Sequence, residues 1–280
     1  MNTKDLYAQI QAKKTMLCVG LDTDFNKRPQ HIQKLAQDGE IAVHGGLLKG
    51  TARSLYEFNK AIIDATSEHC VAYKPNLAFY ECYGREGMLA LEKTVDYIRN
   101  NHPEQFIIAD AKRGDIGNTA KMYAKTYFET MDFDAVTISP YMGSETVTPF
   151  LEYPGKFAIV VALSSNKSSA DFQLAQQDGK PLYQEVMEKM MSISNPDNMM
   201  FVVGATKADK LAEIRKFCPD NFFLVPGVGA QGGSAEEVIA HGANAMGGLL
   251  INSSRGIIYA SNGEDFAEAA GRAAAATANI

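Results

Sequence analysis

Short apolar runs alternate along the chain with longer stretches in which apolar residues recur every three or four positions. Eight runs stand out: Met16 to Asp22, Val71 to Asn76, Phe106 to Lys112, Ala135 to Pro140, Phe157 to Ser164, Met200 to Thr206, Phe222 to Val228 and Met246 to Ser253. They are rich in Val, Ile, Leu and Phe, as expected of parallel strands covered on both faces. Leu55, Phe58, Ile62 and Ala65 precede the second run, Met88, Leu91, Val95 and Ile98 the third, and Leu211, Ile214 and Phe217 the seventh. That spacing places each set on one face of a helix. Eight alternating strand and helix units predict a closed (β/α)8 TIM barrel, spanning residues 1–280 as a single domain, in preference to an open doubly wound sheet. Two connections, Thr23 to Gly50 and Asn166 to Gly179, exceed the usual βα loop and are read as functional loops at the mouth.

Composition narrows the class. The 280 residues include 46% hydrophobic and 21% charged residues, the balance of a globular protein. A net charge of -6 argues against a nucleic-acid partner, although a small anion needs only a local basic site. The four cysteines have no C-x-x-C spacing and the five histidines no H-E-x-x-H, so no metal site is expected. No apolar run approaches the ~20 residues of a membrane span, and the first 16 residues lack an apolar signal core, which gives a cytoplasmic expectation without membrane partners.

The active site of such a barrel lies at the C-terminal ends of its strands. Polar residues gather there: Asp22 after the first run, Lys74 and Asn76 in the second, Asp110 and Lys112 closing the third, Ser164 closing the fifth. Alternation along a strand turns Asp110 and Lys112 to the same side. Gly114 allows a turn, Asp115 follows, and Asn118 is a candidate cap for the next helix. "DAKRGD" read alone is equally a solvated charged turn; with Asp22 and Lys74 on neighbouring strands it reads as a site.

"GVGAQG" at Gly227 to Gly232 fits G-x-G-x-x-G, but it lies late in the chain and lacks the acidic residue of a dinucleotide site. With Ser234 as a helix cap and "SSRG" one unit later, it matches instead the phosphate site that many barrels build after strands seven and eight. Arg255 is positioned to add a bidentate contact.

These residues resemble the orotidine 5'-phosphate decarboxylase family over nearly the whole chain. The most specific element is D-x-K-x-x-D-I-G-x-T at Asp110, Lys112, Asp115, Ile116, Gly117 and Thr119, supported by "GLD" at Asp22, "YKPN" at Lys74, "PGVGAQGG" and "SSRG". The wording is similar to the longer bacterial (type 2) subgroup. The resemblance implies conversion of orotidine 5'-monophosphate (OMP) to uridine 5'-monophosphate (UMP) and CO2 in pyrimidine biosynthesis, without metal or cofactor. It implies a charge network of Lys74, Asp110, Lys112 and Asp115, with Lys112 the proton donor. It further implies a homodimer with shared active sites, Asp115 and Thr119 reaching into the neighbouring subunit. Asp22 would bond the ribose, Ser164 or Ser165 the pyrimidine, and Gln231 and Arg255 the phosphate. The alternative is a Mg2+-dependent keto-sugar-phosphate decarboxylase or aldolase on a related barrel, which uses a similar D-x-K-x-x-D.

Overall fold

The computed structural model describes residues 1–228 and 234–278. Eight parallel strands close a barrel: β1 (Leu17–Leu21), β2 (Ala72–Pro75), β3 (Phe106–Arg113), β4 (Ala135–Ile138), β5 (Phe157–Leu163), β6 (Met199–Val203), β7 (Phe223–Pro226) and β8 (Leu249–Ser253). They pair in chain order, and β8 returns to β1 through Leu17 beside Ile251 and Val19 beside Ser253. The strands lie where the apolar runs predict, trimmed by one to three residues at most ends. Helices Gly50–Thr66, Gly84–Asn101 and Ala208–Phe217 carry the three periodic sets.

Strand alternation sorts the core into two layers. Cys18, Ala72, Phe106, Ile108, Ala135, Phe157 and Ile159 fill the barrel, while Tyr73, Ile107, Ala109, Val136 and Val160 pack against the helices. Phe106 and Phe157 meet edge to face with centroids 5.6 Å apart. The helix Thr3–Lys13 sends Leu6 and Ile10 into the inner layer, and Asn2 and Asp5 form a capping box at its start. The same alternation carries Lys74, Asp110 and Thr137 to the inner side two residues beyond Ala72, Ile108 and Ala135.

Three local expectations need correction. Residues 23–50 are not a plain loop: they hold the short helix Gln30–Lys34 and a hairpin of Ile41–Val43 with Gly46–Leu48, whose Leu48 is fully buried. Residues 166–179 contain the 3-10 turn Lys167–Asp171 and begin a second small hairpin, Gln176–Gln177 with Lys180–Pro181. Asn118 does not cap the helix after β3, because Gly117–Lys125 begins one residue before it, with Ile116 at the cap position and no side-chain cap bond. A left-handed Gly117 (φ +55°) already turns the chain there. Ser234, by contrast, does cap Ala235–Gly242, accepting the Glu237 N–H. Among the described residues no helix is long and apolar enough to cross a membrane.

Candidate active site

Asp110 sits at the centre of the mouth, where β2, β3 and β4 end. Lys74 Nζ donates to its Oδ2 at 2.8 Å and Lys112 Nζ to its Oδ1 at 2.5 Å. Lys74 and Asp110 are almost wholly buried, whereas the Lys112 side chain remains 55% exposed to the mouth. Burial alone would raise the Asp110 pKa, but the two ammonium groups outweigh it and hold the carboxylate well below its usual range. Burial likewise opposes the Lys74 charge, and Asp110 and Asp22 overcome it, raising its pKa. Asp110 is therefore a fixed anion holding two cations in place.

Sequence reasoning missed Thr137. Its hydroxyl donates to Asp110 Oδ1 at 3.0 Å and accepts the Lys112 N–H at 2.9 Å, so one side chain ties the carboxylate to the lysine backbone. The signal was available, because Thr137 is the inward polar position of an otherwise apolar strand. Its contact also refines the argument from alternation. The pairing of β3 with β4 slips between Ala109 and Arg113, and Lys112 lies in the left-handed region at φ +47°. A non-glycine residue held there costs about 1 kcal/mol or more, and such strain gathers at functional sites. Arg113 anchors the far side of this bend through Glu81 and the rings of Tyr123 and Tyr127.

The charge distribution gives a pH prediction. Asp110 binds fewer protons folded than unfolded, so its stabilising contribution is present above the unfolded carboxylate pKa of about 4 and is lost progressively as pH falls below it. The melting-temperature advantage of the wild type over Asp110→Asn should therefore shrink in acid. A constant gap from pH 7 to pH 3 would show that the carboxylate's charge is not what holds the cluster.

Asp22 follows β1, and its buried Oδ1 has no hydrogen-bond partner among the described residues. Tyr259 fixes its backbone by donating to the Asp22 carbonyl at 2.9 Å. A buried carboxylate oxygen without a donor is an uncommon and costly arrangement that a ligand hydroxyl would resolve. Ser164 closes β5 and bonds to Asn166 and Gln173 of the following loop. Ser165 lies beside it, its carbonyl accepting from Thr206. Arg255 starts the short helix Arg255–Ile258 and is exposed, and its guanidinium has no hydrogen bond or ion pair among the described residues. Gln231 lies outside the described residues. Gly227, at φ +98°, makes the turn that ends β7.

Asp115 and Thr119 are not brought to Lys112 within one chain. Among the described residues the Asp115 carboxylate accepts only the N–H of Ile116, at 2.8 Å, and Thr119 is exposed on the first turn of Gly117–Lys125. Ile116 and Met122, close to them in the chain, are exposed, as are Met142 and Tyr141, the latter 83% exposed, in the loop after β4.

A closed parallel barrel with a lysine, aspartate and lysine cluster at the C-terminal ends of its strands is the arrangement of a (β/α)8-barrel enzyme. Residues 15–270 match the orotidine 5'-phosphate decarboxylase / HUMPS family, and the chain belongs to it. It is 54% identical over 275 residues to the orotidine 5'-phosphate decarboxylase of Phocaeicola vulgatus, covering 98% of this chain and 95% of that protein. The corresponding enzyme of Christiangramia forsetii is 51% identical over 279 residues, covering 100% and 97%. Among solved structures, Leishmania donovani OMP decarboxylase matches with a TM-score of 0.79 at 34% identity, covering 100% of this chain and 98% of that one.

Proposed function

We infer that the chain decarboxylates OMP to UMP as a homodimer of the cytoplasm, with Lys112 as the group that both stabilises the transition state and delivers the proton. The observation that carries this reading is the Asp110 carboxylate held between Lys74 and Lys112. Relatives more than 50% identical over nearly their full length bear the decarboxylase name, which favours it over the sugar-phosphate alternative.

When the bond from C6 to the carboxylate breaks, CO2 leaves and the electron pair stays on C6, with no good electron sink in the ring. The ammonium of Lys112 faces that developing charge from a fixed position and so needs no reorganisation during the reaction. It then gives a proton to C6 and recovers one from water. Repulsion between Asp110 and the departing carboxylate is a secondary contribution. Lys74 keeps Asp110 ionised, and Asp115 of the second subunit completes the alternation of charge around Lys112. In this scheme Asp22 accepts from the ribose, Ser164 bonds the ring, Thr119 reaches across the dimer, and Gln231 and Arg255 take the phosphate. Binding the phosphate away from C6 helps to hold the closed geometry in which the Lys112 charge counts most. The loop 166–179 is the lid, its exposed Phe172 beside a cavity of about 450 Å3 that Tyr141 and Tyr183 also line.

The phosphate contact supplies a test. Arg255→Ala should weaken OMP binding roughly 10- to 100-fold, since a hydrogen bond to a charged group is worth about 1.5–3 kcal/mol, and should barely change binding of phosphate-free orotidine. Equal losses for nucleotide and nucleoside would place Arg255 outside the phosphate site.

A further inference from the structure

Lys112 sits in a break of the barrel's own ladder. Ala109 of β3 pairs with Val136 of β4 and the next pair is Arg113 with Ile138, so Asp110, Ala111 and Lys112 together face Thr137 alone. A strand that carries extra residues against its partner bulges, and bulges re-aim side chains beside active sites. Backbone bonds hold the chain on both sides of this one. The Leu77 N–H, just beyond β2, donates to the Asp110 carbonyl at 3.2 Å, and the Ser139 N–H donates to the Arg113 carbonyl at 2.7 Å. Gly114 lets the chain leaving β3 pass close to Ser139, because a Cβ there would lie 2.8 Å from the Ser139 carbonyl oxygen.

Within the bulge Lys112 adopts φ +47°, a conformation that a non-glycine residue keeps only where its surroundings impose it. Thr137 supplies that contact, and both of its bonds have a fixed direction. The Lys112 N–H can only donate, at 2.9 Å, and the ionised Asp110 carboxylate can only accept, at 3.0 Å. The Asp110 oxygen that accepts from Thr137, Oδ1, also accepts from Lys112 Nζ. Both ends of the lysine, backbone and ammonium, are thereby referred to one carboxylate oxygen through three hydrogen bonds. Thr137 is buried, so water does not stand in for its hydroxyl. We propose that Thr137 is a positioning residue for the decarboxylation, its hydroxyl holding the bulge in the shape that aims the Lys112 ammonium at the reacting carbon. Without that hydroxyl the ammonium still pairs with Asp110, but from a relaxed backbone and in another direction. The role assigned to Thr137 rests on the reading of Lys112 as the group that stabilises charge at C6 and delivers the proton.

The test compares Thr137→Val, which deletes the hydroxyl and keeps the side chain's shape, with Thr137→Ser, which keeps the hydroxyl and deletes the methyl. Valine suits a buried strand position between Val136 and Ile138, so the fold should persist, and Thr137→Ala makes the same deletion should valine crowd the bulge. Turnover of OMP, the dissociation constant of UMP and the melting temperature are measured for each, with Lys112→Ala as reference. Misplacing a reacting group by about 1 Å can cost about 100-fold in rate, and that is the fall in kcat expected for Thr137→Val and Thr137→Ala. UMP binding should change by less than about threefold, because the contact acts on the transition state, and Thr137→Ser should recover turnover to within about fivefold of wild type. A lowered melting temperature with unchanged kcat in the folded valine and alanine variants would make Thr137 a merely structural residue and overturn the proposal. Equal losses of turnover in Thr137→Val and Thr137→Ser would overturn it too, since packing and not the hydroxyl would then matter. A fully active Thr137→Val beside an inactive Lys112→Ala removes Thr137 alone, whereas an active Lys112→Ala removes the role of Lys112 and the proposal with it.

Discussion

Lys112→Ala is expected to lower decarboxylation by roughly four orders of magnitude or more, because it removes a preorganised charge and a proton donor that are each worth about 100-fold or more. The fold should survive. The Lys112 side chain is 55% exposed, lies outside both core layers, and among the described residues bonds only to Asp110. The strained backbone at φ +47° is no worse for alanine than for lysine. Single-turnover kinetics alongside circular dichroism and a melting curve would decide the matter. Near-wild-type turnover from a folded variant would refute the role assigned to Lys112.

Asp115 carries the second large effect. Its carboxylate makes no ion pair among the described residues, and the neighbouring Ile116 and Met122 expose apolar side chains that suit a subunit contact. If it completes the neighbour's site, Asp115→Asn and Lys112→Ala should each be almost inactive as pure proteins, and mixing them should restore activity. In a mixed dimer one site lacks both residues while the other regains both. Random exchange between equal amounts in a two-fold symmetric dimer then returns about a quarter of wild-type turnover. No recovery after demonstrated subunit exchange would mean that each site is built from one chain alone.

The fold was legible because its strands are buried on both faces, and continuous apolar runs survive as a signal even where their ends blur. The Asp110 and Lys112 pair was legible for a related reason, since charges closing an apolar strand have few structural uses. Thr137 was hidden by its chemistry: threonine suits a strand anywhere, and only its contact with Asp110 sets it apart. The Asn166 and Gln173 bonds to Ser164 were hidden because polar loop residues look alike until the backbone of Ser164 orients one carboxamide. The hairpin at Ile41–Val43 escaped because its strands are three residues long, too short for alternation to show. Asn118 misled because a left-handed glycine at Gly117 did the work expected of a cap.

The most direct measurement is the loss of OMP absorbance with formation of UMP by the purified protein, with and without EDTA. The expected result is rapid turnover that EDTA leaves unchanged and that Lys112→Ala abolishes. A folded dimer inert toward OMP, or turnover that vanishes with EDTA and returns with Mg2+, would contradict it.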